Sequence, residues 1–177
     1  LDEASTPDAC PFITGYSTGD RFGCTDSDGD GYSDGDLNWT KADGSDAFPD
    51  EPSQWQDRDF DGWGDNQSEG AVLIDDFPDN PTQWSDSDED GWGDNQTYGA
   101  TQVDDFPFVP SQYRDTDGDG YGDILEGFEG DVCVFSSAEE VESGWISYAD
   151  RLGCRDVDQD GFSDPTDDWI AHPDGFA

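Results

Sequence analysis

The chain has 177 residues, 46 of them acidic against 6 basic, for a formal net charge of −40, with a single His and no Met. A surface of this sign repels polyanions, so nucleic acid and anionic membranes are not expected as partners, since both need a basic patch. No run of 18 apolar residues reads as a membrane-spanning helix, and a hydrophobic share of 31% is too small for one continuous core, so small aromatic clusters, one per repeat, are expected instead.

Taken in chain order, Leu1 is followed by no charged-then-apolar leader, which predicts an excised portion of a longer precursor. Cys10 and Cys24 bracket the first segment. Within it Ser17 stands three residues before Asp20, and the pattern recurs at Ser147 and Asp150, so each is expected to open a capped helical turn that Gly23 or Gly153 closes before a Cys. Next comes a nine-residue acidic loop, D-x-D-x-D-G-x-x-D, from Asp26 to Asp34. It returns at Asp57 to Asp65, Asp86 to Asp94, Asp115 to Asp123 and Asp156 to Asp164. The second, third and fourth copies start 29 residues apart, the signature of a repeat architecture. The outer spacings are 31 and 41, as expected of atypical terminal units carrying insertions. The predicted units are 1–45, 46–74, 75–103, 104–130 and 131–177, and Ser137 with Glu140 has the spacing of a second short helix start. Gly and Pro interrupt the rest every few residues, so the predicted fold class is irregular: an elongated tandem array with little regular secondary structure.

The loop spacing has a chemical reason. Carboxylates at positions 1, 3 and 5 point into one concavity, Gly at position 6 permits the sharp turn, and position 7 offers a backbone carbonyl to the same hard cation. These ligands are Asp26, Asp28, Asp30 and Tyr32; Asp57, Asp59, Asp61 and Trp63; Asp86, Asp88, Asp90 and Trp92; Asp115, Asp117, Asp119 and Tyr121; Asp156, Asp158, Asp160 and Phe162. Position 9 adds Asp34, Asp65, Asp94, Asp123 and Asp164. Four like charges within nine residues repel one another until a multivalent cation neutralises them, so the metal-free loop is expected to be open, and about five Ca²⁺ ions or more are the expected cofactor. A disordered acidic tract is the bland alternative, but it would have no register, whereas an aromatic fills position 7 every time. At position 12, where an EF-hand places a bidentate Glu, only Glu126 matches; Leu37, Ser68, Thr97 and Asp167 fill the others. The missing ligands are expected from Asp46, Asp75 and Asp104, which would fold back and link neighbouring units; turn-starting Asp is the competing reading.

These three residues begin a second constant block, Asp46-Ala47-Phe48-Pro49 to Gln54-Trp55, Asp75-Asp76-Phe77-Pro78 to Gln83-Trp84, and Asp104-Asp105-Phe106-Pro107 to Gln112-Tyr113. Aligned on the end units, Cys10 and Cys133 fall at the Phe positions, and Cys24 and Cys154 at the Trp or Tyr positions. Four Cys allow three connectivities. The substitution pattern favours Cys10–Cys24 and Cys133–Cys154, each replacing an aromatic pair that closes the same loop. No CxxC or His-spaced cluster offers a metal site of its own, so disulfides and an extracellular or cell-surface location are expected. Asn38, Asn66 and Asn95 stand in N-x-S/T acceptors, whereas Pro81 blocks Asn80.

With its D-x-D-x-D-G-x-x-D runs, intervening Pro and loop-closing Cys, the chain from Asp8 to Asp168 resembles the thrombospondin type 3 repeat. The resemblance implies a backbone wrapped around rows of calcium ions. It departs where Phe and Trp or Tyr replace Cys in units two to four, and where Asn-Gln-Ser or Asn-Gln-Thr follows the loop.

His172 stands alone, no Ser-His or Cys-His constellation occurs, and carboxylates engaged as metal ligands are unavailable as general acids, so no enzyme is expected. The expected role is a calcium-stiffened, N-glycosylated filament protomer or surface stalk, partnered end to end by copies of itself or by flanking repeats. An adhesin-type module recognising carbohydrate or a protein receptor is the alternative. The pattern breaks off at Ala177, just where another block would begin.

Overall fold

The computed structural model describes residues 7–136 and 138–164. Among them regular structure is confined to one 3₁₀ turn, Lys41–Asp43, and one short α-helix, α1, Ala138–Ser143. The rest is turns and bends joined by isolated bridges, of which Gly64–Ile74, Gly93–Val103 and Gly122–Gly130 are equivalent parallel pairs. The fold is irregular for the reason the composition gave. Asp side chains bind the local backbone in place of helix or ladder partners. α1 lies at the predicted second helix; Ser137, Asp167 and His172 lie outside the described residues.

The chain divides into two compact units, Leu1–Ser85 and Asp86–Ala177. In the first, the only buried hydrophobic residues among those described are Cys10, Cys24 and Ala47, while Gln54, Gln83, Asp46, Asp75, Ser17 and Ser33 are among its most buried side chains. In the second, Gln112, Asp104, Asp131, Ser147, Asp156 and Ser163 are buried with Cys154. The interior of each unit is therefore built from hydrogen bonds rather than hydrocarbon. Both predicted disulfides are present, Cys10–Cys24 and Cys133–Cys154.

Two local expectations are corrected. Ser17 Oγ does donate to Asp20 Oδ1 at 2.6 Å, but no helical turn follows. The Ser17 N–H donates to the Cys24 carbonyl and its own carbonyl accepts from Gly23, so the segment doubles back as a loop and frees Asp20 for another task. The block aromatics also do not pair with the Phe of their own block. Trp55 stacks on Tyr32 (5.0 Å, 1° between planes), Trp84 on Trp63 (6.0 Å, 3°) and Tyr113 on Trp92 (4.3 Å, 3°). Each ring at loop position 7 thus packs on the block that follows its loop. The block itself is closed by backbone, as Ala47, Asp76 and Asp105 N–H groups donate to the Trp55, Trp84 and Tyr113 carbonyls at 3.0, 3.2 and 3.1 Å. Tyr121 has no such stack because Cys154 occupies the corresponding place in the next block.

Candidate metal centres

All five loops share one hydrogen-bond pattern. The position 1 carboxylate accepts from the N–H groups of positions 4 and 6, as in Gly29 and Gly31 to Asp26 at 2.7 and 3.0 Å, or Gln159 and Gly161 to Asp156 at 2.7 and 2.8 Å. Position 3 accepts from position 5, and position 5 from position 7, as in Trp63 to Asp61 at 2.8 Å. Position 6 has φ between 91° and 103° in every loop, a left-handed conformation that only Gly adopts at little cost. The result is five triplets, Asp26/Asp28/Asp30, Asp57/Asp59/Asp61, Asp86/Asp88/Asp90, Asp115/Asp117/Asp119 and Asp156/Asp158/Asp160. In each, one oxygen per carboxylate lies within 4.8 Å of the others.

Position 9 has a different job. The Asp34 carboxylate accepts from the Ser27 N–H and hydroxyl at 3.0 and 2.6 Å, Asp94 likewise from Ser87, and Asp123 from Thr116. These Asp residues close the loop across position 2. Asp65 Oδ1 accepts the Arg58 N–H at 3.4 Å while its buried Oδ2 lies 3.6 Å from the Arg58 guanidinium without a hydrogen bond, and Asp164 faces Arg155 at 3.5 Å. Glu126 is exposed and stands outside the triplet of its loop.

The folding-back Asp residues are where the structure adds most. Asp46, Asp75 and Asp104 are at most 1% exposed. Each spends Oδ1 on the N–H two residues on, Phe48, Phe77 or Phe106, at 2.7 Å. Each Oδ2 is buried with no hydrogen-bond partner. The turn-starting reading holds through Oδ1, and Oδ2 is left without a partner. The charges nearest Asp46 are Asp30, Asp28 and Asp34, those nearest Asp75 are Asp61, Asp59 and Asp65, and those nearest Asp104 are Asp90, Asp88 and Asp86. Each block Asp therefore lies beside the carboxylates of the loop before it. Asp131, which sequence reasoning missed, repeats the arrangement beside loop four: it is buried, Oδ1 accepts from Cys133 N–H at 2.6 Å, and Oδ2 has no partner. Its signal was its place two residues before Cys133, aligned with Asp46 before Phe48.

Buried oxygens of Asp28, Asp30, Asp59, Asp61, Asp88 and Asp119 are likewise without partners. A buried carboxylate oxygen left unpaired costs a few kcal/mol, and here several converge from two directions. This donor set, all hard oxygen and strongly negative, fits Ca²⁺. The carboxyls respond as expected: burial, opposed by the Phe48 N–H and reinforced by neighbouring Asp charges, pushes Asp46 up to about 7. The same causes push Asp75, Asp104 and Asp119 up to about 6. Because these values lie above the ordinary 3.8, the metal-free fold is favoured by protonation, gaining stability as pH falls from about 7 toward 4 and losing it as pH rises through the same window. Calcium requires the ionised form, so its apparent affinity is expected to fall as pH drops from 7.5 to 5.5. Isothermal titration calorimetry at the two pH values checks this; equal affinities would contradict it.

A second device supports the loops. Gln54, fully buried, accepts the Asn66 N–H at 3.0 Å and donates to the Asn66 and Val72 carbonyls at 3.0 and 2.7 Å. Gln112 does the same with Ile124 N–H, Ile124 carbonyl and Phe128 carbonyl. Loop position 8 must be Gly there, since a Cβ on Gly64 or Gly122 would overlap the Gln side chain. In loops one and five position 8 is Ser. Ser33 donates its N–H and hydroxyl to Asp20 at 2.9 and 2.7 Å, and Ser163 to Asp150 at 2.8 and 3.0 Å. Gly goes with a buried Gln, and Ser with Asp20 or Asp150.

The chain is thus an irregular, disulfide-bonded protein with repeated Asp triplets able to hold metal ions. No protein-family model matches it and no curated protein is similar to it, so the thrombospondin type 3 resemblance rests on the residues named above.

Proposed function

We propose that this is an extracellular calcium-binding structural protein whose repeats are rigidified by the ions and whose assembly is end to end, as a filament protomer or as part of a surface stalk. The observation that carries the calcium reading is the buried, unpartnered Oδ2 of Asp46, Asp75, Asp104 and Asp131, each beside an Asp triplet. Calcium bound there would offset the mutual repulsion and supply stability that the apolar core does not. Disulfides and the absence of a long apolar helix among the described residues agree with an exported chain. In this reading the carboxylates are structural ligands and the protein is not an enzyme.

Of the three glycan acceptors, Asn38 is the best presented, being exposed, whereas Asn66 spends its amide on the Ser53 carbonyl at 2.7 Å. The test of the assembly reading is negative-stain imaging of purified protein in calcium and after excess EGTA. Regular fibres that loosen on chelation support it, and single short particles in both conditions reject the filament in favour of the stalk.

A further inference from the structure

We propose that the calcium sites of loops three and four are positively coupled through the block Asp104 to Tyr113, in which Asp104 completes the first site while Asp105 and Gln112 hold the backbone of the second. The inference rests on the calcium reading above and names how neighbouring sites regulate each other.

The block faces both ways. Asp104 is fully buried, its Oδ2 is unpartnered, and the charges beside it belong to Asp90, Asp88 and Asp86 of loop three. At the other end of the block, the Tyr113 ring stacks on Trp92 of loop three at 4.3 Å, and its carbonyl accepts the Asp105 N–H at 3.1 Å. Loop three therefore holds the block at two points. The adjoining residues hold loop four. Asp105 Oδ2 accepts the N–H of Asp115, the first ligand of loop four, at 2.9 Å. Gln112 binds both backbone groups of Ile124 and the Phe128 carbonyl, fixing the chain just beyond that loop. Without a cation in loop three, Asp104 is a buried carboxylate repelled by three like charges, which works against this placement of the block. With one, Asp104 becomes a ligand, and the block that shapes loop four is held in place beforehand. Coupling of this kind commonly changes affinity five-fold or more, and it is reciprocal.

The test is a calcium titration of the full chain at about 150 mM salt, where exposed charges are screened beyond about 8 Å. The backbone amide resonances of Gly91 and Gly120, which donate to Asp86 and Asp115, report the two loops. Asp90→Asn is expected to raise the Gly120 midpoint at least five-fold while leaving that of Gly31 in loop one unchanged. Asp119→Asn should raise the Gly91 midpoint by the same factor, which keeps the test open should the first variant fold poorly. In a Gln112→Ala background the effect of Asp90→Asn on Gly120 is expected to shrink below two-fold. Midpoints that ignore the loss of the other site overturn the coupling while leaving calcium binding intact. If no glycine amide responds to calcium in the unaltered chain, the calcium reading falls and the coupling with it.

Discussion

Millimolar calcium is expected to raise the melting temperature sharply and close the chain to protease, and excess EGTA to reverse both. Extracellular oxygen-ligand sites bind with dissociation constants of about 10⁻⁴ to 10⁻³ M. At about 10 mM calcium each filled site therefore contributes roughly 1.4 to 2.7 kcal/mol. Over the four loops that have a block Asp in place this comes to about 6 to 11 kcal/mol, comparable with the whole stability of an ordinary domain. The size of the effect follows from how little else is available. Cys10, Cys24, Cys154 and Ala47 are the only buried hydrophobic residues among those described, and Oδ2 of Asp46, Asp75, Asp104 and Asp131 is buried without a hydrogen-bond partner. Five divalent ions would bring the formal −40 to about −30, so the remaining charge keeps the surface hydrated. Differential scanning calorimetry and limited proteolysis with and without chelator measure it. Indifference of both to calcium would remove the basis of the proposed function.

The second large effect is expected from Gly122→Ala. The new methyl group would enter the space of the buried Gln112 side chain, and the side chain cannot move without giving up its bonds to Ile124 and Phe128. Overpacking costs about 1 to 3 kcal/mol and stranded buried backbone groups a similar amount, so a loss of roughly 2 to 4 kcal/mol in the second unit is anticipated. Urea unfolding followed through Trp92 and Tyr113 emission would show it. Combined with Gln112→Ala the extra methyl should cost almost nothing beyond that change alone, because the overlap is gone. A single variant within about 0.5 kcal/mol of the parent would show that the lock is not built as described.

The loops were legible in the sequence because their constraint is local. Carboxylates at positions 1, 3 and 5 and Gly at 6 specify the turn within nine residues, and all five triplets form as read. The disulfides were legible because Cys replaced aromatic residues at aligned positions. The partners of those aromatics were not, since Trp55 and Tyr32 lie in different predicted units, and nothing within the block indicates that its ring packs backwards. Ser17 with Asp20 misled because a capping spacing also suits a side chain reaching to position 8 of a loop, and only the fold shows Ser33 at the other end. Position 9 was read as a ligand from the loop pattern, and the hydrogen bonds that Ser27, Ser87 and Thr116 at position 2 give it in loops one, three and four were not read. Asp131 was overlooked because no Phe-Pro follows it. Gln54 and Gln112 were visible as constant letters, but their meaning depends on a Gly ten residues downstream.

The placement of Asp46, Asp75, Asp104 and Asp131 has an evolutionary corollary. A tandem duplication of one period copies the closing carboxylate of the loop before it and the open triplet of its own loop, two halves belonging to different sites. Joined to any neighbour of the same kind, the copied segment meets a matching half on each side, so every such insertion brings a buried block Asp beside a triplet at its seams. The Gln and its Gly lie within the same period and are inherited together. If the sites are filled as proposed, copy number can change by recombination without a compensating point mutation.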